Sequence, residues 1–330
     1  MLSVAGVKPP AMMEGRAFMG EHQVAAQKYL FGYRDRMDER PDFSQAVRDE
    51  KFLYIRNYMP FLPAGQFVEY QNETPTTAVW RKMFLDGKLD PIESQFWETR
   101  ASEELYDLEV DPEETKNLAT DAEYKDVLNR FRKAHREQVV SSRDLGFMNE
   151  GELAELVKTG SPRDLIGKDN FPMERIFEMA TLASNGNADL QTFLVGLDDQ
   201  NTTIRYWSAM GLRIQAEKAA RNHGDFLVQL MQDSAPAVSI LAAETLAMHG
   251  DHSQVTMALA VLKRQANFET TNYYHAIHAM NVLDRLDEKT KPIFELLMDL
   301  PVKTSIERSG DYLERLKRSI VAKQAGDDRQ

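Results

Sequence analysis

The sequence predicts an α+β protein: a small antiparallel sheet with a long helix packed on it, followed by an all-α array of helical repeats. Three observations predict it. Aromatic and β-branched runs with strand-like alternation end by about residue 108, a long amphipathic stretch follows, and from about residue 150 an Ala- and Leu-rich pattern recurs with an offset of 34.

The first strands are read at residues 28–34, "KYLFGYR", and within 46–57, "AVRDEKFLYIRNY". In the second run Phe52, Tyr54 and Arg56 alternate with Leu53, Ile55 and Asn57, and Asp49-Glu50-Lys51 supplies a hairpin turn. Thr76 to Leu85 follows Pro75, carries Val79, Met83 and Phe84 at helical spacing, and stops at Gly87. Leu105, Tyr106 and Leu108 form a further strand. Asp111 then reads as an N-cap with Pro112 at the first helical position and Glu113 and Glu114 at the positive end of the helix dipole. Thr120 and Glu123 read as a capping box for a helix whose apolar stripe is Tyr124, Val127, Leu128, Phe131 and Ala134.

In the second half, "DDQNTTIRYWSAMGL" aligns with "MQDSAPAVSILAAETL", placing Asp199 on Asp233, Ile204 on Val238, Trp207 on Leu241, Ala209 on Ala243 and Leu212 on Leu246. A weaker third copy sets Ala279 and Val282 in the Ala and Leu positions, and "RIFEMATLAS" around Ala180 opens the array as a half-repeat. Tetratricopeptide and ankyrin signatures are not met. The pattern is similar to short HEAT repeats, in which stacked helix pairs bury a continuous core. The organisation read from these signals is an α+β unit over 1–148, a linker over 149–168, helical repeats over 169–320 and a disordered tail over 321–330.

Composition narrows the chemistry. A formal net charge of -12 and the absence of a basic block interleaved with aromatics argue against nucleic acid as a partner. With no cysteine, disulfides, zinc-thiolate sites and cysteine nucleophiles are excluded. No stretch approaches the ~18 uncharged apolar residues of a membrane helix. The N-terminus has a short apolar start with no basic block ahead of it and reaches Lys-Pro-Pro by residue 8, too soon for the apolar core expected of a signal peptide.

Few motifs carry chemistry. "YRDRMDE" packs five charges into residues 34–39, a pattern suited to the rim of a site for anionic substrates: Arg for sulfate or carboxylate, Asp and Glu for sugar hydroxyls. A self-paired, solvated turn is the competing reading. The carboxylates of "DPEE" are explained by capping as well as by metal. His275 and His278 stand three apart on a predicted helix, as metal ligands or as buried polar groups. Met12, Met13, Met37 and the aromatics of "NYMPF" line a channel or pack a core. "GDH", Gly250 to His252, reads as a turn between helices.

Several stretches in order, "LSVAGVKPPAMMEGRAFMG", "YLFGYRDRMDE", "AVRDEKFLYIRNY", "ETPTTAVWRKMFLDGKL" and "EELYDLEVDPEETKNLA", resemble the C-terminal part of a bacterial sulfatase of the arylsulfatase and heparan N-sulfatase type. The resemblance covers residues 1 to about 148. It implies a small subdomain packed on a large α/β domain, where a formylglycine nucleophile and a calcium ion hydrolyse sulfate esters or sulfamates. It places Arg34, Asp35, Arg36, Asp38 and Glu39 near the mouth of that site as substrate-binding residues. The formylglycine motif is not found: "GSPRD" at Ser161 has Pro and Arg at the wrong offsets, and "SAPAV" at Ser234 lacks the Ser and Arg.

The expectation is therefore a C-terminal portion of a sulfatase, inactive alone, with calcium and formylglycine in a missing catalytic domain that partners it in cis or in trans. The alternative is a standalone module whose repeats bind a protein partner while the sulfatase-like half is vestigial. No location is read from the residues, though the resemblance implies a periplasmic or secreted one. Loss of the large domain is expected to expose an apolar face bearing Phe31, Tyr54 and Trp97.

Overall fold

Alternation in the first half produces a four-stranded antiparallel sheet: β1 (Leu30–Arg34), β2 (Ser44–Arg48), β3 (Phe52–Asn57) and β4 (Glu103–Asp107), in the order β1-β2-β3-β4. The computed structural model describes residues 1–330 apart from 12, 14, 35–37, 168–170, 304–310 and 326–330. The β2–β3 hairpin turns where the sequence places it, because the Asp49 carboxylate accepts hydrogen bonds from the backbone N–H groups of Lys51 and Phe52. Three short helices, α1 (Glu69–Asn72), α2 (Pro75–Leu85) and α3 (Pro91–Ser94), fill the connection from β3 to β4. Gly87, at φ 65°, lets the chain leave α2 in the left-handed conformation that a residue with a Cβ resists.

The long helix α4 (Lys125–Ser142) lies on the sheet. Leu128, Phe131 and Ala134 bury against Val47, Phe52, Tyr54 and Leu105 in a core of their own. Two helix starts read from the sequence are corrected. Asp111 starts no helix: its carboxylate accepts from the N–H groups of Thr115 and Lys116 and closes a loop in which Glu114 takes a left-handed φ of 57°. Asp121, not Thr120, supplies the side-chain cap, accepting from Glu123 N ahead of α4.

The expected linker is also corrected. Residues 150–166 form α5 (Glu150–Thr159) and α6 (Pro162–Ile166), and Gly151 and Leu153 of α5 are buried. There follow α7 (Met173–Asn185), α8 (Leu190–Gly196), α9 (Thr202–Ile214), α10 (Ala216–Leu230), α11 (Pro236–His249), α12 (His252–Gln265), α13 (Tyr273–Leu286), α14 (Phe294–Met298) and α15 (Tyr312–Gln324). The last of these carries helical structure through residue 324, into the segment expected as tail.

The 34-residue offset is visible in the backbone. Helices α9 and α11 begin at 202 and 236, and α10 bends at His223, so that its second half matches α8. The aligned aspartates do one job: Asp199 accepts from Asn201 N, and Asp233 from Ala235 N. Arg205 then ties one turn to the next, donating to both oxygens of Asp233 at 3.1 Å. At Gly211 of α9 an added Cβ would stand 2.5 Å from the Phe193 ring of α8, so the pair closes only because that position has no side chain.

Sheet and array share a core. Phe43 and Tyr58 stack with ring centroids 4.8 Å apart, Phe147 meets both edge-on, and all three rings surround Trp207 of α9, whose indole N–H donates to Phe147 O. Of the three residues expected on an exposed apolar face, two are covered. Tyr54 is buried beneath α4 and Trp97 against Trp80 and Phe96, whereas Phe31, on the edge strand β1, is exposed. Among the described residues, no helix is long and apolar enough to cross a membrane.

Candidate functional site

The charged loop after β1 is where the sequence concentrates its candidate ligands, and the structure divides them. Arg34 is partly exposed, with its Nε 3.6 Å from the buried carboxylate of Asp42. Asp38 is exposed and accepts from the N–H of Glu39. Asp35 and Arg36 lie outside the described residues, as do Met12 and Met37.

Glu39 points inward. Its carboxylate accepts from Arg315 of α15 at 3.1 Å and from the N–H of Glu69 at the start of α1, while its carbonyl accepts from Asn281 of α13. The next residue, Arg40, donates to Asp284 of α13 at 2.7 Å and to Phe67 O. One end of the loop is thus a clasp between the sheet and the last helices, while Arg34 and Asp38 are exposed.

Beside this clasp, at the junction of the sheet with α9, α11 and α13, lies a cavity of about 50 Å³, room for a few water-sized molecules. Its walls are mostly apolar, including Phe43, Phe61 and Trp207, and its polar end holds Glu244, His278 and Arg285. Arg213 and Arg285 both donate to one oxygen of Glu244, at 2.7 and 3.0 Å. Burial would raise the Glu244 carboxyl, but the two guanidinium groups outweigh it and hold it down to about 2. Arg213 also lies over the Phe61 ring, 3.5 Å from its centroid. Burial pushes His278 down to about 3, so its imidazole is neutral at pH 7.

A second opening, about 440 Å³, lies between β3, α4 and α7. Its floor is the buried Arg56 and its rim carries Arg132, Lys133 and Arg136 of α4. Glu103 serves several cations at once: Arg132 donates to both of its oxygens, Tyr54 Oη lies 2.8 Å away, and Arg56 Nη1 stands at 3.6 Å.

The carboxylates of Asp42, Glu103, Glu244 and Asp284 are each paired with arginine, with lysine adding to Asp284. Among the described residues no set of three or more His, Asp or Glu side chains is placed to hold a metal ion. His275 and His278 are both buried on α13, and His252 begins α12, behind the N-cap Asp251.

The sequence reading passed over Arg40, Arg56, Arg213 and Glu244. One signal for Glu244 was available: a lone acidic residue inside "LAAETLA" has to be buried with a partner if that helix is in a core.

The geometry is thus a sheet capped by a helix, sharing its core with a helical stack and carrying arginine-lined openings. Comparison with known proteins gives its kinship. A region of the chain is similar to two ulvan-active sulfatases of Formosa agariphila: 34% identity over 174 residues, 51% of this chain and 28% of that relative, and 30% over 136 residues, 39% of this chain and 25% of the other. The chain therefore spans about a quarter of the length of the curated relatives it matches. No family model matches it.

Proposed function

We propose that this chain frames the substrate of a sulfuric ester hydrolase and does not itself attack sulfate. The single observation that carries the reading is the 34% identity over 174 residues to an ulvan-active sulfatase. The absence of any cysteine from the sequence supports it, because a cysteine-derived formylglycine has no source here. The nucleophile and its calcium then belong to a catalytic portion that meets this chain in cis or in trans, and an exported location follows from the same kinship.

In this reading the accessible end of the loop after β1 belongs to the substrate rim. Arg34 is suited to a sulfate or carboxylate, and Asp38 to a sugar hydroxyl. Glu39 holds that rim to α15 instead of touching substrate. The helical array is HEAT-like, and its 34-residue ladder of Asp turns supports that description. A standalone protein-binding module is weakened by the aromatic cluster, in which the chain's own Phe43, Tyr58 and Phe147 cover Trp207 of α9.

The test is sulfate release from sulfated ulvan oligosaccharides. The chain alone is expected to release none, and the chain joined to a sulfatase catalytic portion to release sulfate with a KM raised by Arg34→Ala. Turnover by the isolated chain overturns the proposal.

A further inference from the structure

The opening between β3, α4 and α7 holds a buried cation that the protein does not fully neutralise. Arg56 is 3% exposed. Its Nη2 donates to neutral acceptors, the carbonyl of Thr181, the hydroxyl of Ser184 and the side-chain oxygen of Asn185. Its Nε makes no hydrogen bond. The nearest carboxylate is Glu103 at 3.6 Å, beyond hydrogen-bond reach and already held at both oxygens by Arg132. Two guanidinium groups thus share one carboxylate.

A guanidinium away from water costs several kcal/mol unless an anion with good geometry answers it. The surroundings increase the local positive potential. Lys133 and Arg136 complete the rim, and although Glu137 stands 3.8 Å from Lys133 and Glu174 pairs with Arg136, four cations still face three carboxylates. This occurs in a chain of formal net charge -12, where a positive cleft runs against the overall field. His135, on the wall, adds no charge: burial first, then Arg56, drives its imidazole down to about 3.

Size and lining select the ligand. About 440 Å³ is far more than a free oxyanion fills and falls within the range of small-molecule sites. The rings of Tyr54 and Phe177 give the cleft apolar wall beside its arginines. We infer that the α4–α7 cleft binds an anionic saccharide, its sulfate or carboxylate group on Arg56 and Arg132 and its ring against the Tyr54 and Phe177 side. The saccharide class rests on the proposed function, whereas the cleft is a different part of the molecule from the loop after β1, and its binding is read without any hydrolysis.

Calorimetric titration of the chain tests it, with a sulfated uronate-containing disaccharide, its desulfated and carboxyl-reduced counterpart, and inorganic sulfate as probes. The sulfated disaccharide is expected to bind at least about tenfold more tightly than either control, with affinity falling as salt rises. Lys133→Glu together with Arg136→Glu, both exposed, is expected to weaken it about tenfold or more while far-UV circular dichroism stays native. Arg56→Lys, checked for folding by circular dichroism, keeps the charge but loses the planar fork, and is expected to weaken binding as well. No binding at millimolar disaccharide, equal binding by the charge-reversed variant, or inorganic sulfate binding as tightly as the disaccharide each overturns the assignment.

Discussion

Arg40 Nη1 lies 2.7 Å from Asp284 Oδ2, with both side chains about 95% buried, and this pair joins the loop that follows β1 to α13, more than 240 residues along the chain. The pair is not isolated. Ser319 and Lys323 of α15 also donate to the Asp284 carboxylate, so one buried anion gathers the sheet and two helices. Burial would raise Asp284, but Arg40 and Lys323 outweigh it and keep its carboxyl low, so it is charged at neutral pH. Removing one member strands the others without counter-charge. Asp284→Ala is expected to lower stability by about 3 to 5 kcal/mol, read from urea midpoints, and the double variant with Arg40→Leu to lose less than the sum of the two single changes. Additive losses would mean the two side chains do not act together.

How much of this was legible in the sequence depended on range. The hairpin at Asp49, the stop at Gly87 and the 34-residue repeat were legible because each is settled by neighbours in sequence or by internal copies. Asp111 misled because its carboxylate satisfies the same kind of N–H groups in a loop as at a helix start, and the left-handed Glu114 decides between them. Glu39 looked like a ligand because its partner Arg315 lies 276 residues away, and a local charge run does not reveal such pairing. The linker looked plausible because α5 is short and strongly charged; its burial is supplied by α13, from another part of the chain.

The aromatic junction predicts cooperativity. Phe43, Tyr58 and Phe147 come from the first half of the chain and Trp207 from the array, in one contiguous core. Phe43→Ala is expected to cost about 3 to 5 kcal/mol. Both halves are expected to melt in one transition, with tryptophan fluorescence, which reports Trp80, Trp97 and Trp207 together, and far-UV circular dichroism superimposing in the wild type. Two separated transitions in the wild type would show that the shared core does not couple the halves.

Acid should destabilise the fold first through its buried histidines, before the carboxylates that the fold holds low take up protons. His135 and His278 fall to about 3 and His275 to about 4, chiefly through burial, against an ordinary value of 6.5. In the unfolded chain they take up protons as pH drops below 6.5, while in the fold they stay neutral until 3 to 4. Stability is therefore fully present above 6.5 and lost progressively from there downward. Glu244, held down to about 2, adds a second loss below about 4.5 in the same direction. Melting temperatures from pH 8 to 4 are expected to fall from about pH 6.5, and His278→Asn is expected to flatten that first decline. A curve level down to pH 5 would contradict the neutral, buried state of these imidazoles.

Glu152 of α5 has the opposite sign. Burial raises its carboxyl to about 7, against the opposing pull of the Thr202 hydroxyl, which donates to Oε2 at 3.0 Å, and of Arg205. Its other oxygen, Oε1, is buried without a hydrogen-bond partner. An acid raised in the fold above its unfolded value of 4.5 contributes stability that is complete below 4.5 and is lost as pH rises toward 7. At pH 8 the fold therefore carries a charged group in a place that favours a neutral one. Glu152→Gln keeps the shape and the acceptor for Thr202 while removing the charge. It is expected to raise the melting temperature at pH 8 and to leave it nearly unchanged at pH 4, where the native carboxyl is already protonated. Equal effects at both pH values would place the change in packing or amide hydrogen bonding instead of ionisation, and a lower melting temperature at pH 8 would show that Arg205 stabilises the carboxylate more than burial opposes it.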